Sequence, residues 1–110
     1  MAGSDLFTGS LDLLILKALT WRPLHGYAIG SWIRQTTSQG LSVHEGAIYP
    51  ALHRLERRGF LEEEWGLTDT NRAAKFYRLT PAGRKHLTQE IARWRDYSRV
   101  MTAALDAVRA

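Results

Sequence analysis

No stretch limits the possible folds of this chain more than Val43-His44-Glu45-Gly46-Ala47-Ile48-Tyr49-Pro50-Ala51-Leu52-His53-Arg54-Leu55-Glu56-Arg57-Arg58-Gly59. Ile48, Leu52 and Leu55 recur at helical spacing with Ala51 beside them, so one side of a helix is apolar. The opposite side carries Gly46, Tyr49, Pro50, His53 and Arg57, with Arg54 on its flank. A helix buried by one face and offering Tyr, His and Arg on the other suits the major groove of DNA. Gly59 ends it just past the cap, and Arg57 and Arg58 complement the helix dipole. Pro50 cannot donate to the carbonyl four residues back. Either the regular helix starts only around Ala47, or its first turn is distorted. Taken alone, the stretch favours the plainer reading of an ordinary amphipathic helix with a solvated basic edge, because charged outer faces are the default.

The flanking segments give this helix a setting. Residues 1–8 read as a loose arm with Leu6 and Phe7 as anchors. Ser10 is placed to cap a first helix whose opening turn holds Asp12, favourable at the positive end of the dipole. Leu11, Leu14, Ile15, Ala18 and Leu19 supply its buried face, and Trp21-Arg22-Pro23-Leu24 stops it. His25-Gly26-Tyr27 turns the chain into a second helix with Ile29, Trp32, Ile33 and Thr36 in helical register. Gln39-Gly40-Leu41-Ser42 connects it to the central helix, completing a helix-turn-helix core.

After Gly59 the pattern becomes extended. Residues 60–65 and 75–79 read as two strands joined by the polar run Thr68-Asp69-Thr70-Asn71-Arg72, a hairpin in the position of a wing. Thr80-Pro81 places a cap residue and an N1 proline at the start of another helix. Its apolar stripe of Leu87, Ile91, Trp94, Met101, Leu105 and Val108 runs to about residue 109, giving about 40 Å of helix. So long a stripe exceeds what a small core covers and seeks a partner. The expected fold is therefore mainly α (α+β). It has a winged helix-turn-helix domain over residues 9–80 with a two-stranded wing, and a dimerisation helix over residues 81–110. The expected dimer interface is Leu87, Ile91, Trp94, Met101 and Leu105.

Charge allows a polyanionic partner without demanding one. Residues 1–71 hold six Lys/Arg against eight Asp/Glu, a net of −2, whereas residues 72–110 hold nine against three, a net of +6. The 110 residues include no cysteine, which excludes disulfides, thiol catalysis and Cys-based zinc sites. No stretch reads as a membrane span or secretory signal, so a cytoplasmic protein with no membrane partner is expected. His44-Glu45 begins like the zinc-protease motif H-E-x-x-H but meets Ile48 where the second histidine belongs. The four histidines are scattered. No metal site, cofactor, phosphate loop or catalytic set is expected, and the chain does not read as an enzyme.

Gly46-Ala47-Ile48-Tyr49-Pro50-Ala51-Leu52-His53-Arg54-Leu55 resembles the third helix of the PadR family of bacterial transcriptional regulators. There the pattern is Gly, Thr or Ser, Leu or Ile, then Tyr-Pro-x-Leu-x-Arg-Leu. His25-Gly26-Tyr27, Lys75-Phe76-Tyr77-Arg78-Leu79-Thr80-Pro81-Ala82-Gly83 and the segment Leu11–Leu19 match at the right distances. The similarity covers residues 9–110, and the single C-terminal helix resembles the short subgroup. This resemblance implies a homodimeric repressor that binds a palindromic operator and leaves it on binding an inducer. The chain departs from the family at the wing tip, where Asn71-Arg72-Ala73-Ala74 replaces a frequent Gly-Arg-Pro. It also departs at Glu62-Glu63-Glu64, three carboxylates able to repel phosphate unless Arg57, Arg58 or Arg78 neutralises them or they face away.

The candidate DNA contacts are Tyr27, Gly46, Tyr49, Pro50, His53, Arg54, Arg57, Arg72 and Lys75. Tyr49 and His53 are placed for base edges or phosphates, and Gly46 for close backbone approach. Arg54 and Arg57 suit phosphates, although Arg54 serves equally as an internal partner of Glu45 or Glu56. Arg72 and Lys75 suit the minor groove from the wing. Tyr27 either touches phosphate or packs under the central helix. Trp94 is read as interface core. In some multidrug-responsive relatives a tryptophan at the matching place stacks on flat ligands between subunits. That implies a small aromatic inducer here, with Trp21 or Phe7 as neighbours. A ligand- or metal-sensing dimer and a winged helix that binds only protein remain open. Salt-dependent affinity for duplex DNA separates the DNA-binding reading from both.

Overall fold

A computed structural model describes residues 2–41 and 43–109, with residues 2–8 described by backbone alone. The elements are α1 (Ala2–Ala18), β1 (Leu24–His25), α2 (Gly26–Thr36), α3 (Glu45–Arg57), β2 (Leu61–Leu67), β3 (Ala73–Leu79) and α4 (Pro81–Leu105). The apolar face read from the central stretch is the buried one: Ile48, Ala51, Leu52 and Leu55 are at most 1% exposed. They meet Ile15, Leu16 and Leu19 of α1 and Ile29 and Ile33 of α2 in one core, which Leu61, Tyr77, Leu79 and Leu87 close from the wing and α4.

Two expectations about α1 are corrected. The helix begins at Ala2, so residues 2–8 are not a loose arm and Ser10 lies inside the helix rather than at its cap. Nothing there breaks a helix harder than glycine, which costs only about 1 kcal/mol. Asp12 is likewise a mid-helix residue. The side chains of Leu6 and Phe7 lie outside the described residues.

Helix α3 does not wait for Ala47. His44 is its cap residue, and the His44 carbonyl accepts from the N–H groups of Ala47 and Ile48 at 2.9 and 3.2 Å. Pro50 stands inside the helix and withdraws one donor from the carbonyl of Gly46. Gly46 is exposed, so its carbonyl is not a buried orphan. At the other end Gly59 takes φ +82, the Gly59 N–H donates to the Glu56 carbonyl at 2.9 Å, and the Phe60 N–H donates to the Leu55 carbonyl at 3.0 Å. Both bonds belong to a Schellman cap, which turns the chain directly into β2.

The sheet is antiparallel with order β1-β3-β2. Two strands were expected. The third, β1, is a two-residue bridge pairing Leu24 with Tyr77 and His25 with Phe76. It is too short to leave a periodic signal, because only the tertiary fold brings it to β3. Between β2 and β3 the Thr68 N–H donates to the Arg72 carbonyl at 2.9 Å, the Arg72 N–H donates to Thr68 Oγ1, and Asn71 adopts φ 62. Asn71 thus fills the left-handed position that glycine otherwise takes. Helix α4 starts as expected: Pro81 is in its first turn, and Thr80 Oγ1 accepts the Gly83 N–H at 3.0 Å. It ends at Leu105, short of residue 109, and Val108 lies beyond it. Asp106 opposes the negative end of the dipole, and every described side chain from Ala92 onward is exposed, so nothing holds a further turn.

Candidate nucleic-acid interface

The open face of α3 exposes Gly46, Tyr49, Pro50, His53 and Arg57 together. Tyr49 is 42% exposed and leans across the start of α2: a Cβ on Gly26 would stand 2.8 Å from its ring and hydroxyl. The glycine of His25-Gly26-Tyr27 therefore makes room for Tyr49 of α3. Tyr27 is 58% exposed, and its ring lies 6.4 Å from that of His25. Packing under the central helix, one of the two readings of Tyr27, is ruled out.

Arg54 is not in the exposed row. Its guanidinium donates to Asp12 of α1 at 2.9 Å, and neither Glu45 nor Glu56 is its partner. Burial raises the Asp12 pKa above 3.8, against the lowering effect of the Arg54 hydrogen bond and charge. The pair fastens α3 to α1, so the phosphate role considered for Arg54 competes with an internal bond already made.

On the wing the carboxylates divide by pleat. Glu62 and Glu64 share one face, where Arg78 bonds them at 3.3 and 2.8 Å. Glu63 points to the other face, with Lys75 Nζ at 3.3 Å, and the same ammonium lies 5.7 Å from the Trp65 ring. Lys75 is thus half-engaged, whereas Arg72 sits exposed in the turn. Burial raises the pKa of the Tyr77 hydroxyl, and Glu63, Glu56 and Tyr49 add to the effect, which places all three near it.

On α4, Leu87 is 6% exposed and belongs to the core of its own chain. Its assignment to the dimer interface is corrected, because the first turns of α4 dock on α1 and the wing before the helix projects. Ile91 packs partly on the same core. The uncovered row is Trp94, Tyr97, Val100, Met101 and Leu105, between 40% and 77% exposed. Tyr97 and Val100 were missed by sequence reasoning, although Tyr97 stands one turn after Trp94 and their rings are 6.1 Å apart. Trp94 borders two hollows, one of about 650 Å³ against Leu11, Leu14, Leu41, Val43 and Ile91, the other of about 350 Å³ against Ser10, Leu13 and Tyr97. Trp21 is not a neighbour of Trp94. It packs with Trp32 at 5.9 Å and under Lys17. Among the described residues no three His, Cys, Asp or Glu gather to hold a metal, and no helix is long and apolar enough to cross a membrane.

Residues 15–89, more than half of the chain, match the PadR-like family of transcriptional regulators. The chain belongs to that family. Its members are regulators rather than enzymes. A transcriptional regulator of Mycobacterium tuberculosis is 47% identical over 62 residues, covering 56% of this chain and 57% of that protein. A transcriptional regulator from Clostridium thermocellum superposes with a TM-score of 0.80 at 31% identity, covering 90% of this chain and 93% of that one. PadR of Bacillus subtilis, solved in complex with operator DNA, superposes with a TM-score of 0.65 at 31% identity. That match covers 74% of this chain and 46% of PadR, so the chain spans less than half of that relative.

In this PadR-like chain the Asp12–Arg54 pair has a pH signature. A raised carboxyl pKa means that Asp12 favours folding most below its unfolded value, an advantage lost as pH rises through the folded one. Arg54→Met removes the compensating cation and lifts that pKa further. Stability should fall by about 1–2 kcal/mol at neutral pH. The loss should shrink as acid protonates Asp12. Urea unfolding that gave the same loss at neutral and mildly acidic pH would contradict the pair's role.

Proposed function

We propose that this chain is a DNA-binding repressor acting in the cytoplasm as a homodimer, with α3 of each subunit in the major groove of a palindromic operator. The observation that carries the reading is the exposed row of Gly46, Tyr49, Pro50, His53 and Arg57 on a helix whose other face is fully buried, with a closed wing beside it. The B. subtilis relative solved on operator DNA supports it. The exposed apolar row on α4 supports pairing of subunits, since that surface is left bare in one chain. Two-fold pairing sets half-sites about 10 bp or a multiple apart.

Gel-shift titration over a salt series tests the reading. Arg57→Ala and Arg72→Ala should weaken binding to every sequence and flatten the salt slope by about one unit for each phosphate no longer neutralised. Tyr49→Ala and His53→Ala should change which sequence is preferred. If none of the four substitutions moves operator affinity, the helix-in-groove reading fails.

Release by a small aromatic inducer is the second part of the proposal, favoured by Trp94 standing between two hollows. An inducer shifts the equilibrium only by binding the released state more tightly than the DNA-competent one. Planar aromatic compounds should quench indole emission, and Trp94→Ala should abolish the response while leaving the dimer assembled. Dissociation of that variant would mark Trp94 as interface core instead.

A further inference from the structure

Trp65 is 70% exposed on β2, and Leu67 beside it is 65% exposed. An indole this bare costs solubility and contributes nothing to the core. Its position in the pleat says which surface it serves. Leu61, Glu63, Trp65 and Leu67 alternate onto one face of β2, opposite Leu79, Tyr77, Lys75 and Ala73 of β3. At the inner end of that face Leu61, Tyr77 and Leu79 are buried with α3. Farther out, Glu63 holds Lys75 at 3.3 Å, and Lys75 lies over the Trp65 ring at 5.7 Å. This face of the wing therefore runs outward from the core it shares with α3, with Trp65 near its outer edge.

We propose that Trp65 is a contact residue for the sugar–phosphate strand that borders the groove entered by α3. The proposal rests on the DNA-binding reading and goes beyond it by adding an uncharged contact. Trp65 is four residues beyond Leu61, about 13 Å along the strand. The major groove is about 12 Å wide, so a side chain at that reach meets the bordering backbone rather than base edges. A flat indole suits the apolar face of deoxyribose, and its N–H suits a phosphate oxygen. Lys75 over the ring and exposed Arg72 in the turn make the surroundings attractive to a polyanion. On this face of β2 Glu63 is paired with Lys75, and Glu62 and Glu64 are turned to the far side with Arg78. A protein partner has no such reason to prefer a basic rim.

The test uses the full chain and a labelled mixed-sequence duplex, titrated over a salt series with wild type, Trp65→Ala, Trp65→Phe and Lys75→Gln. Trp65→Ala should weaken binding about tenfold at every salt concentration and leave the slope unchanged, because an uncharged contact releases no counterion. Trp65→Phe should keep most of the affinity, and Lys75→Gln should flatten the slope by about one unit. Acrylamide quenching gives a second readout: DNA should shield an exposed component of the emission that is missing from Trp65→Phe. Wild-type affinity in Trp65→Ala overturns the proposal. So does a loss that also flattens the slope as Lys75→Gln does, since Trp65 would then act only by holding Lys75. If Trp65→Ala fails to fold, quenching decides: Trp21 and Trp94 are exposed as well, so only the component missing from Trp65→Phe counts, and its remaining unshielded on saturated DNA overturns the proposal. A wild-type chain without salt-dependent affinity for duplex DNA would instead sink the underlying reading.

Discussion

Gly83→Ala should destabilise the fold by about 3 kcal/mol, although a glycine-to-alanine change inside a helix ordinarily stabilises by up to about 1 kcal/mol. The reversal of sign comes from one contact. A Cβ on Gly83 would collide with the carbonyl oxygen of Phe60, which is backbone and cannot swing aside. That carbonyl is itself fixed, because it accepts the Thr80 N–H at 3.1 Å. Thr80 Oγ1 donates to the Gly59 carbonyl at 2.6 Å and accepts the Gly83 N–H at 3.0 Å. The first turn of α4 is thus bolted to the corner where α3 hands over to the wing. Moving it to admit a methyl breaks these bonds and lifts Leu87 from the core. The midpoint of urea unfolding measures the effect, and a Gly83→Ala chain as stable as wild type would refute the account.

Met101→Glu combined with Leu105→Glu should leave the fold intact and weaken operator binding at least a hundredfold. Both side chains are exposed in the single chain, at 40% and 77%, so burying a charge is not at issue within one subunit. In a paired state the new carboxylates face their own copies across the two-fold axis and oppose association. Two linked recognition helices gain about 10²–10⁴ in avidity over one, and monomers forfeit that gain. Sedimentation should show dimers for wild type at micromolar concentration and monomers for the variant, with helical circular dichroism unchanged. Wild-type monomers at that concentration would rule out the dimer. The same change at Ile91 would be uninformative, since Ile91 already packs on its own core.

These two sites also show where sequence reading succeeded and where it stopped. Thr80-Pro81 announces the start of α4 because capping is a matter of neighbouring residues. Nothing adjacent to Gly83 announces that its α-carbon must approach a carbonyl more than twenty residues earlier. Leu87 and Met101 look alike in the apolar stripe. Only docking separates them, because the core is spent by Ile91 and the helix runs on into solvent. The alternation of Glu62, Glu63 and Glu64 is visible in sequence, but which face points at α3 depends on the register of β2 against β3.

The central helix, its buried and open faces, its glycine stop, the wing and the cap of α4 were all legible in the order of residues. Each follows from interactions over four residues or fewer along the chain, or from the alternation of a strand. Folding in three dimensions was needed to bond Arg54 to Asp12 across 42 residues, to make Leu24–His25 a third strand and to lay Tyr49 over Gly26. It was needed as well to share Lys75 between Glu63 and Trp65, and to set where α4 leaves the core. One cause runs through these cases. A charge or ring is satisfied by whatever packing brings within a few ångströms, and periodicity fixes which way a residue faces without fixing what it meets.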